Sequence, residues 1–189
     1  MALTYFYTIF AYIYLSRDSL AQFKNIFENN KKWVFNLALQ YVQNQEDAEE
    51  IVQDVFVSVY ENYTKFNENA KLSTWIYRIT INKSLDYIKQ KNAKKRKGFF
   101  VSIFGSHEGE EYKLDFPEFN HPGIQLEDKE QLAILFDKIN RLPENQKTAI
   151  ILSKIEDKSM KEVAEIMEIS IKALESLIQR AKTNLLKKS

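Results

Sequence analysis

The most constraining feature of the sequence is the segment of residues 159–188, where two helical patterns are separated by a very short connection. Ser159 and Glu162 have the spacing of a capping box, and Ser170 stands where a second helix would begin. In that second helix apolar residues recur every three or four positions, which predicts one buried stripe. The stripe consists of Leu174, Ile178, Ala181 and Leu185.

The face opposite this stripe is polar and basic, and it contains no acidic residue. Its members are Lys172, Ser176, Gln179, Arg180, Thr183 and Lys187. A helix-turn-helix presents such a face to the major groove of DNA. A plain helical hairpin with a solvated face has the same pattern, so this segment alone leaves both interpretations open.

The composition favours an all-α protein. The 189 residues include only four glycines and three prolines, too few for a fold built from strands and turns. Hydrophobic residues make up 44% of the chain, enough for the cores of one or two domains. The absence of cysteine excludes disulfides and thiolate metal sites and is consistent with a reducing compartment.

Residues 1–20 form an aromatic leader of unclear role that begins MALTYFYTIFAYIYL. It lacks the basic start and the small-residue end of a signal peptide. Its apolar run is shorter than the roughly 20 residues of a membrane helix. The hypotheses are an extra helix packed on the first domain, an interfacial anchor, or translated sequence ahead of the native start; the first and last are favoured.

The clearest helix of the first half covers residues 46–62, where a wide apolar stripe leaves one polar face. That face holds Glu50, Gln53, Asp54, Val57 and Glu61. Singly exposed valines are common in proteins. An apolar side chain within an acidic face also fits a docking surface for a partner that carries basic and apolar groups.

A further helix is predicted from Thr74 to Lys91, with Ser73 as its cap. Its outer side carries Arg78, Asn82, Lys83 and Asp86. It runs into a cluster of six cations with no acid between them, which we call the basic run. The basic run consists of Lys89, Lys91, Lys94, Lys95, Arg96 and Lys97. Cations at a helix end can simply be solvated, but this density favours contact with phosphates.

Residues 98–127 are predicted to be a flexible acidic linker between two small helical domains, 21–97 and 128–189. Two of the three prolines and both histidines lie in this linker. Since His107 and His121 have no orienting partner nearby in the sequence, we predict no metal or catalytic role for them. The sequence has no glycine loop for phosphate, zinc spacing or nucleophile elbow. We therefore expect no catalytic residue, metal, cofactor or small-molecule substrate.

Three blocks of the chain together resemble an extracytoplasmic-function (group IV) sigma factor of RNA polymerase. They are DAEEIVQDVFVSVYENYTKF, LSTWIYRITINKSLDYIKQKNAKKR and LPENQKTAIILSKIEDKSMKEVAEIMEISIKALESLIQRAKTNLLKK. The similarity runs from about residue 21 to 188. The last block is similar to the Bacteroidetes branch of the family.

The resemblance implies a role for each surface. The helix of residues 47–60 would dock on the clamp of the polymerase largest subunit, through Asp47, Glu50, Gln53, Asp54, Val57 and Glu61. The following loop would receive a base flipped from the −10 element, which costs a few kcal/mol. The next helix would read and part the −10 strand, and the basic run would hold phosphates. The −10 residues would be Asn67, Asn69, Lys71, Trp75, Arg78, Asn82 and Lys83.

The C-terminal helix-turn-helix would read the −35 element and meet the flap region of the polymerase. Its −35 residues would be Lys172, Ser176, Gln179, Arg180 and Thr183. Many family members have threonine and arginine where this chain has Ala173 and Leu177, and lysine where it has Glu175. Fewer phosphate anchors are therefore expected here.

We predict a promoter-specificity subunit without catalytic activity that acts in the cytoplasm and has an anti-sigma partner, which could hold it at the inner membrane. The main alternative is a helix-turn-helix regulator that binds duplex DNA without polymerase. An adaptor with only protein partners would leave the basic surfaces unexplained.

Overall fold

A computed structural model describes residues 17–63, 66, 71–104 and 126–187, and within them the protein is all-α with no strand, as predicted. The helices are α1 (Arg17–Val42), α2 (Gln45–Asn62), α3 (Leu72–Phe104), α4 (Leu126–Asn140), α5 (Glu144–Ile150), α6 (Met160–Met167) and α7 (Ile171–Leu186). Helix α5 continues as a π-helical turn, Ile151–Ile155. Most of the predicted leader and linker lies outside the described residues.

Helices α1–α3 form the N-terminal module around an apolar core. Asn44 caps α2 by accepting a hydrogen bond from the backbone N–H of Asp47 (2.9 Å). The predicted stripe of α2 is buried, and Phe56 meets the rings of Phe23 and Phe27 edge-on, at centroid distances of 6.5 and 4.8 Å. The outer face of α2 is thereby fixed toward solvent.

Helix α3 differs from its prediction at both ends. It begins at Leu72, and the N–H of Trp75 donates to the carbonyl of Lys71 (3.2 Å). Ser73 therefore lies inside the first turn and is not the predicted cap. The helix continues to Phe104 through Gly98, the predicted start of the linker. One glycine costs a helix only about 1 kcal/mol, which the neighbouring helix-forming residues can offset.

Helices α4–α7 form the C-terminal module, which contains the predicted helix-turn-helix. Both bonds of the capping box between Ser159 and Glu162 are present, and Ser170 accepts from the N–H of Ala173 (3.2 Å). Between the two helices Glu168 adopts a left-handed conformation (φ 55°), which ends α6 and redirects the chain. Leu174 and Ala181 of the α7 stripe are fully enclosed.

The two modules pack against each other and share one core. One apolar cluster contains buried residues of both modules. The N-terminal module contributes Leu37, Tyr41, Tyr77 and Ile81, and the C-terminal module contributes Ala149, Leu152, Val163, Ile166 and Leu174. The sequence predicted two domains on a tether, and this direct contact was not foreseen. The contact between the modules determines which of the predicted functional residues are exposed to solvent.

Candidate polymerase and nucleic-acid interfaces

The outer face of α2 combines exposed carboxylates with one apolar side chain. Glu50, Asp54 and Glu61 are exposed, whereas Gln53 and Val57 are half-buried. The opposite stripe of α2 is enclosed by α1 and α3, whereas this face lies outside the core; its Glu50 is close enough to Tyr87 of α3 to help raise the pKa of Tyr87. This face has the charge and shape of a surface for a basic, partly apolar partner.

Asp47, also assigned to this face, is engaged inside the N-terminal module. Its carboxylate accepts a hydrogen bond from the Tyr87 hydroxyl (2.7 Å) and pairs with Lys91, and its side chain is only 14% exposed. Burial, together with the adjacent Asp47 carboxylate, raises the pKa of Tyr87. Asp47 therefore ties α2 to α3, an arrangement that the sequence pattern did not reveal.

The start of α3 carries an aromatic row beside Lys71. The Phe66 ring lies 6.4 Å from Tyr63, stacked, and 5.1 Å from Trp75, tilted by 34°. Aromatic side chains placed in this way can stack on unpaired bases. Trp75 was predicted, whereas Tyr63 and Phe66 were missed; the signal was two aromatics directly before a polar loop. Asn67 and Asn69 lie outside the described residues.

The remaining −10 residues divide into two groups. Asn82 is exposed and Lys83 is half-buried on the outer side of α3. Arg78 instead points into the C-terminal module, where it pairs with Glu168 (Nη1–Oε1, 2.8 Å). Its other nitrogens donate to the carbonyls of Glu165 (2.8 Å) and Ile166 (3.3 Å). In this arrangement three of the five N–H donors of Arg78 have oxygen acceptors at the C-terminal end of α6.

Two cations of the basic run have carboxylate partners. Lys89 pairs with Glu144 of the C-terminal module (3.2 Å), and Lys91 pairs with Asp47. Lys94 is exposed, and the side chains of residues 95–97 lie outside the described part of the structure. Exposed ion pairs contribute little, about 0–1 kcal/mol, so phosphate can replace the partner of Lys89.

The outer face of α7 is exposed as predicted. Lys172, Ser176, Gln179, Arg180 and Thr183 all lie on it. The hydroxyls of Ser176 and Thr183 each donate to a carbonyl one turn back (both 3.1 Å), and Arg180 Nε donates to the carbonyl of Ser176 (3.2 Å). These bonds occupy the hydroxyl protons of Ser176 and Thr183 within the helix.

A polar network joins the two modules across the interface between them, which we call the seam. The Tyr41 hydroxyl donates to Thr148 (2.9 Å). Glu156 accepts from Gln40 (2.6 Å) and from the Tyr77 hydroxyl (3.0 Å). Sequence reasoning missed all five residues, because each is an ordinary helix residue until its distant partner is known.

Lys147 is the ionisable centre of this seam. It is 5% exposed, and its Nζ donates to the carbonyl of Tyr41 (3.0 Å) and to Asn140 (2.6 Å). Burial lowers the pKa of Lys147 from its usual value of 10.5 to about 8, although nearby Glu144 acts in the opposite direction. A neutral amine still has two N–H donors, enough for both hydrogen bonds.

We expect the free energy of unfolding to rise between pH 8 and 10. Above pH 8 folded Lys147 has lost its proton while the unfolded lysine keeps it, so the unfolded state binds more protons and stability increases with pH. The gain is on the order of 2 kcal/mol. Above pH 10 the effect reverses, since burial raises the pKa of Tyr41 and Tyr77.

Urea denaturation at pH 7.5, 8.5 and 9.5 measures this rise. Lys147→Met should abolish it, and Lys154→Met, at an exposed position of the same segment, should retain it. A parent protein whose stability does not change over this range would contradict the assignment.

Comparison with known proteins identifies both modules. The family model of Sigma-70 region 2 matches residues 26–94, and that of Sigma-70, region 4 matches residues 132–185. The ECF RNA polymerase sigma factor SigW of Bacillus subtilis is 29% identical over 175 residues, which span 90% of this chain and 89% of that protein. The chain belongs to the extracytoplasmic-function sigma factors. As a sigma factor it directs core RNA polymerase to promoters and initiates transcription, which favours the main prediction over a regulator that acts without polymerase.

Other similar proteins agree with this sigma-factor assignment. The ECF RNA polymerase sigma-E factor of Haemophilus influenzae is 29% identical over 168 residues, or 82% of this chain and 87% of that protein. Two solved structures share the fold with a TM-score of 0.58. CnrH, solved with the cytosolic domain of CnrY, is 21% identical and matches 86% of this chain and 84% of its own. RpoE of Bartonella quintana, solved with the anti-sigma factor NepR, is 19% identical and matches 87% of this chain and 94% of its own. The Bacteroidetes branch stays a prediction.

Proposed function

We propose that this sigma factor binds core polymerase through the outer face of α2. The observation that carries this proposal is that Glu50, Asp54 and Glu61 project from α2 around Val57, while the opposite side of the helix is fully buried. The contact would be the clamp of the largest subunit. Asp47 is excluded from the proposed contact, because its carboxylate is bonded to Tyr87 and Lys91.

The −10 surface is proposed at the start and outer side of α3. Lys71, Asn82 and Lys83 supply charge and hydrogen-bond donors there, and the aromatic row ending in Trp75 offers stacking planes for unpaired bases. Asn67 and Asn69 keep their proposed role in the base-receiving loop. The basic run continues this surface along the same helix and would hold the phosphate backbone.

The −35 surface is proposed on the outer face of α7. Arginine suits guanine O6 and N7, and glutamine suits adenine N6 and N7, each worth roughly 1–3 kcal/mol of discrimination. Lys172 lies at the start of α7, where a cation more often touches phosphate and positions the module. The region 4 module would also contact the flap region of the polymerase.

We expect Gln179→Ala and Arg180→Ala to relax the preference at one or two bases of the −35 element. Lys172→Ala should lower the affinity for all sequences alike, since phosphate contacts carry no sequence information. Binding to a library with a randomised −35 element and a fixed −10 element measures both effects. If the two alanine variants keep the parent's base preferences, the reading face is wrongly placed.

An anti-sigma factor is the further proposed partner, because RpoE of Bartonella quintana, which shares this fold, was solved with the anti-sigma factor NepR. We propose action in the cytoplasm, with tethering to the inner membrane through that partner. No described helix is both long and apolar enough to span a bilayer.

We also propose that the protein has no catalytic activity, metal or cofactor of its own.

The experiment that tests the function is co-purification with core RNA polymerase, followed by run-off transcription on genomic fragments. Defined transcripts that depend on this protein are the expected result. Stable binding to duplex DNA without any binding to core polymerase would contradict the proposal.

A further inference from the structure

The recognition helix α7 begins with an exposed apolar side chain. Ile171 is the first residue of this helix and is 47% exposed. The sequence pattern does not assign it to the −35 surface, because it lies outside the polar face of α7. Singly exposed apolar residues are common in proteins. What distinguishes Ile171 is its position, since the N-terminal residues of a recognition helix contact base edges in the major groove.

The apolar stripe of α7 explains why Ile171 is exposed. Ile171, Leu174 and Ile178 are spaced at i, i+3 and i+7, so they lie along one side of the helix. Leu174 and Ile178 are buried, whereas Ile171 precedes the part of the stripe that the core covers. Neither apolar core of the described residues includes its side chain. We therefore expect truncation of Ile171 to leave the fold intact.

The first turn of α7 holds this side chain in a fixed place. The Ser170 hydroxyl accepts a hydrogen bond from the backbone N–H of Ala173 (3.2 Å), and the Ser170 carbonyl accepts from the N–H of Leu174 (3.0 Å). Isoleucine is branched at Cβ, which leaves one strongly preferred χ1 rotamer in a helix. A side chain that is already fixed loses little conformational entropy when it packs against a base.

The chemistry of an aliphatic side chain selects one base of the four. Isoleucine can neither donate nor accept a hydrogen bond, so it cannot pair with the polar groups on the edges of guanine, adenine or cytosine. Thymine differs from the other bases because it presents a C5 methyl group in the major groove. Cytosine at the same place would present an amine, which loses its water without gaining a partner. An exposed isoleucine at the start of α7 therefore favours thymine.

We propose that Ile171 is a specificity-determining residue of the −35 surface, which selects thymine at one position through apolar contact with its C5 methyl group. This proposal rests on the proposed −35 role of α7 and adds a contact that needs no hydrogen bond. Gln179 lies eight residues further along α7, about 12 Å by helix geometry. The two side chains are therefore placed to read different base pairs.

Replacement of thymine by deoxyuridine tests this contact directly, because deoxyuridine keeps the base pairing and lacks only the C5 methyl group. The −35 element is first selected with the parent protein from the randomised library, with the −10 element fixed. Each thymine of the selected element is then replaced singly by deoxyuridine. Fluorescence anisotropy measures the affinity of the parent, Ile171→Val and Ile171→Ala for every duplex, and circular dichroism melts show that the variants are folded.

The matched control is Leu186→Ala, which truncates another exposed apolar side chain of the same helix. Leu186 is 83% exposed, but it lies near the C-terminal end of α7, roughly 22 Å from Ile171 along the helix axis. The control therefore removes a similar amount of apolar surface far from the end of the helix that is proposed to enter the groove.

We expect deoxyuridine at one thymine position to weaken binding by the parent about four-fold, which corresponds to the burial of one methyl group. Ile171→Ala should bind the thymine and deoxyuridine duplexes equally at that position. Ile171→Val, which keeps the branched shape, should retain most of the difference, and Leu186→Ala should retain all of it.

Three results would overturn the role of Ile171. They are a selected −35 element without thymine, a parent that is indifferent to deoxyuridine at every thymine, and a deoxyuridine penalty that Ile171→Ala leaves unchanged. In each case Gln179 and Arg180 can still set base preferences, so the −35 role of α7 would survive. A parent without any base preference in the −35 element would instead contradict the −35 surface itself, and the role of Ile171 with it.

Discussion

A cation introduced on the outer face of α2 is expected to lower the affinity for core RNA polymerase by at least about ten-fold, or about 1.4 kcal/mol. The changes are Asp54→Arg and Val57→Lys. Asp54 is exposed and Val57 lies opposite the buried stripe, so both variants should fold normally. Each places a cation where the proposed surface offers a carboxylate or an apolar contact to a basic partner.

A pull-down with core polymerase, supported by run-off transcription, measures the loss. Glu28→Arg carries the same charge change as Asp54→Arg but lies on α1, outside the proposed face, and should bind like the parent. Circular dichroism melts confirm that the variants are folded. If Asp54→Arg and Val57→Lys bind polymerase as the parent does, α2 is not the docking helix.

Neutralising part of the basic run is expected to reduce the salt dependence of DNA binding. Replacement of Lys94, Lys95 and Arg96 by Gln removes three possible phosphate contacts, which would flatten the slope of log K against log salt by up to ~2.7. Over a four-fold rise in salt, such a slope corresponds to about a 40-fold difference in affinity loss between parent and variant. The loss should be the same for all DNA sequences.

The control replaces three exposed lysines of α1, Lys24, Lys31 and Lys32, by Gln. It has the same net charge change outside the proposed DNA surface, so its slope should stay near that of the parent. Fluorescence anisotropy over 50–200 mM salt on a duplex promoter fragment gives both slopes. A triple variant of the basic run with the parent's slope would show that these cations are only solvated.

Two cations of the proposed DNA surface take part in the contact between the modules. Lys89, at the start of the basic run, pairs with Glu144 across the seam, and Arg78 is held by α6. Both contacts place cations of the proposed DNA surface beside carboxylates of the C-terminal module. The proposed docking residues Asp54 and Val57 make no such contact in the described part of the structure, so the α2 variants test polymerase binding separately.

Local rules account for the elements that the sequence predicted well. The capping box at Ser159, the cap at Ser170 and the buried stripe of α7 depend on residues within about three turns of one another. Side-chain periodicity places Asp54 and Gln179 on outer faces for the same reason. Where local signals conflict, prediction failed. Ser73 is a good capping residue, but α3 starts before it, and Gly98 does not stop that helix.

The sequence by itself determined the all-α class, the helix-turn-helix and the outer faces of α2 and α7, since each follows from hydrogen bonds and periodicity along one helix. Only the tertiary structure decided that the modules share a core, that Lys147 is buried against Tyr41, and that Arg78 faces α6. These contacts join residues that are 106 and 88 positions apart. Which distant helix faces meet depends on the summed burial of many apolar side chains, and no local pattern in either helix encodes it.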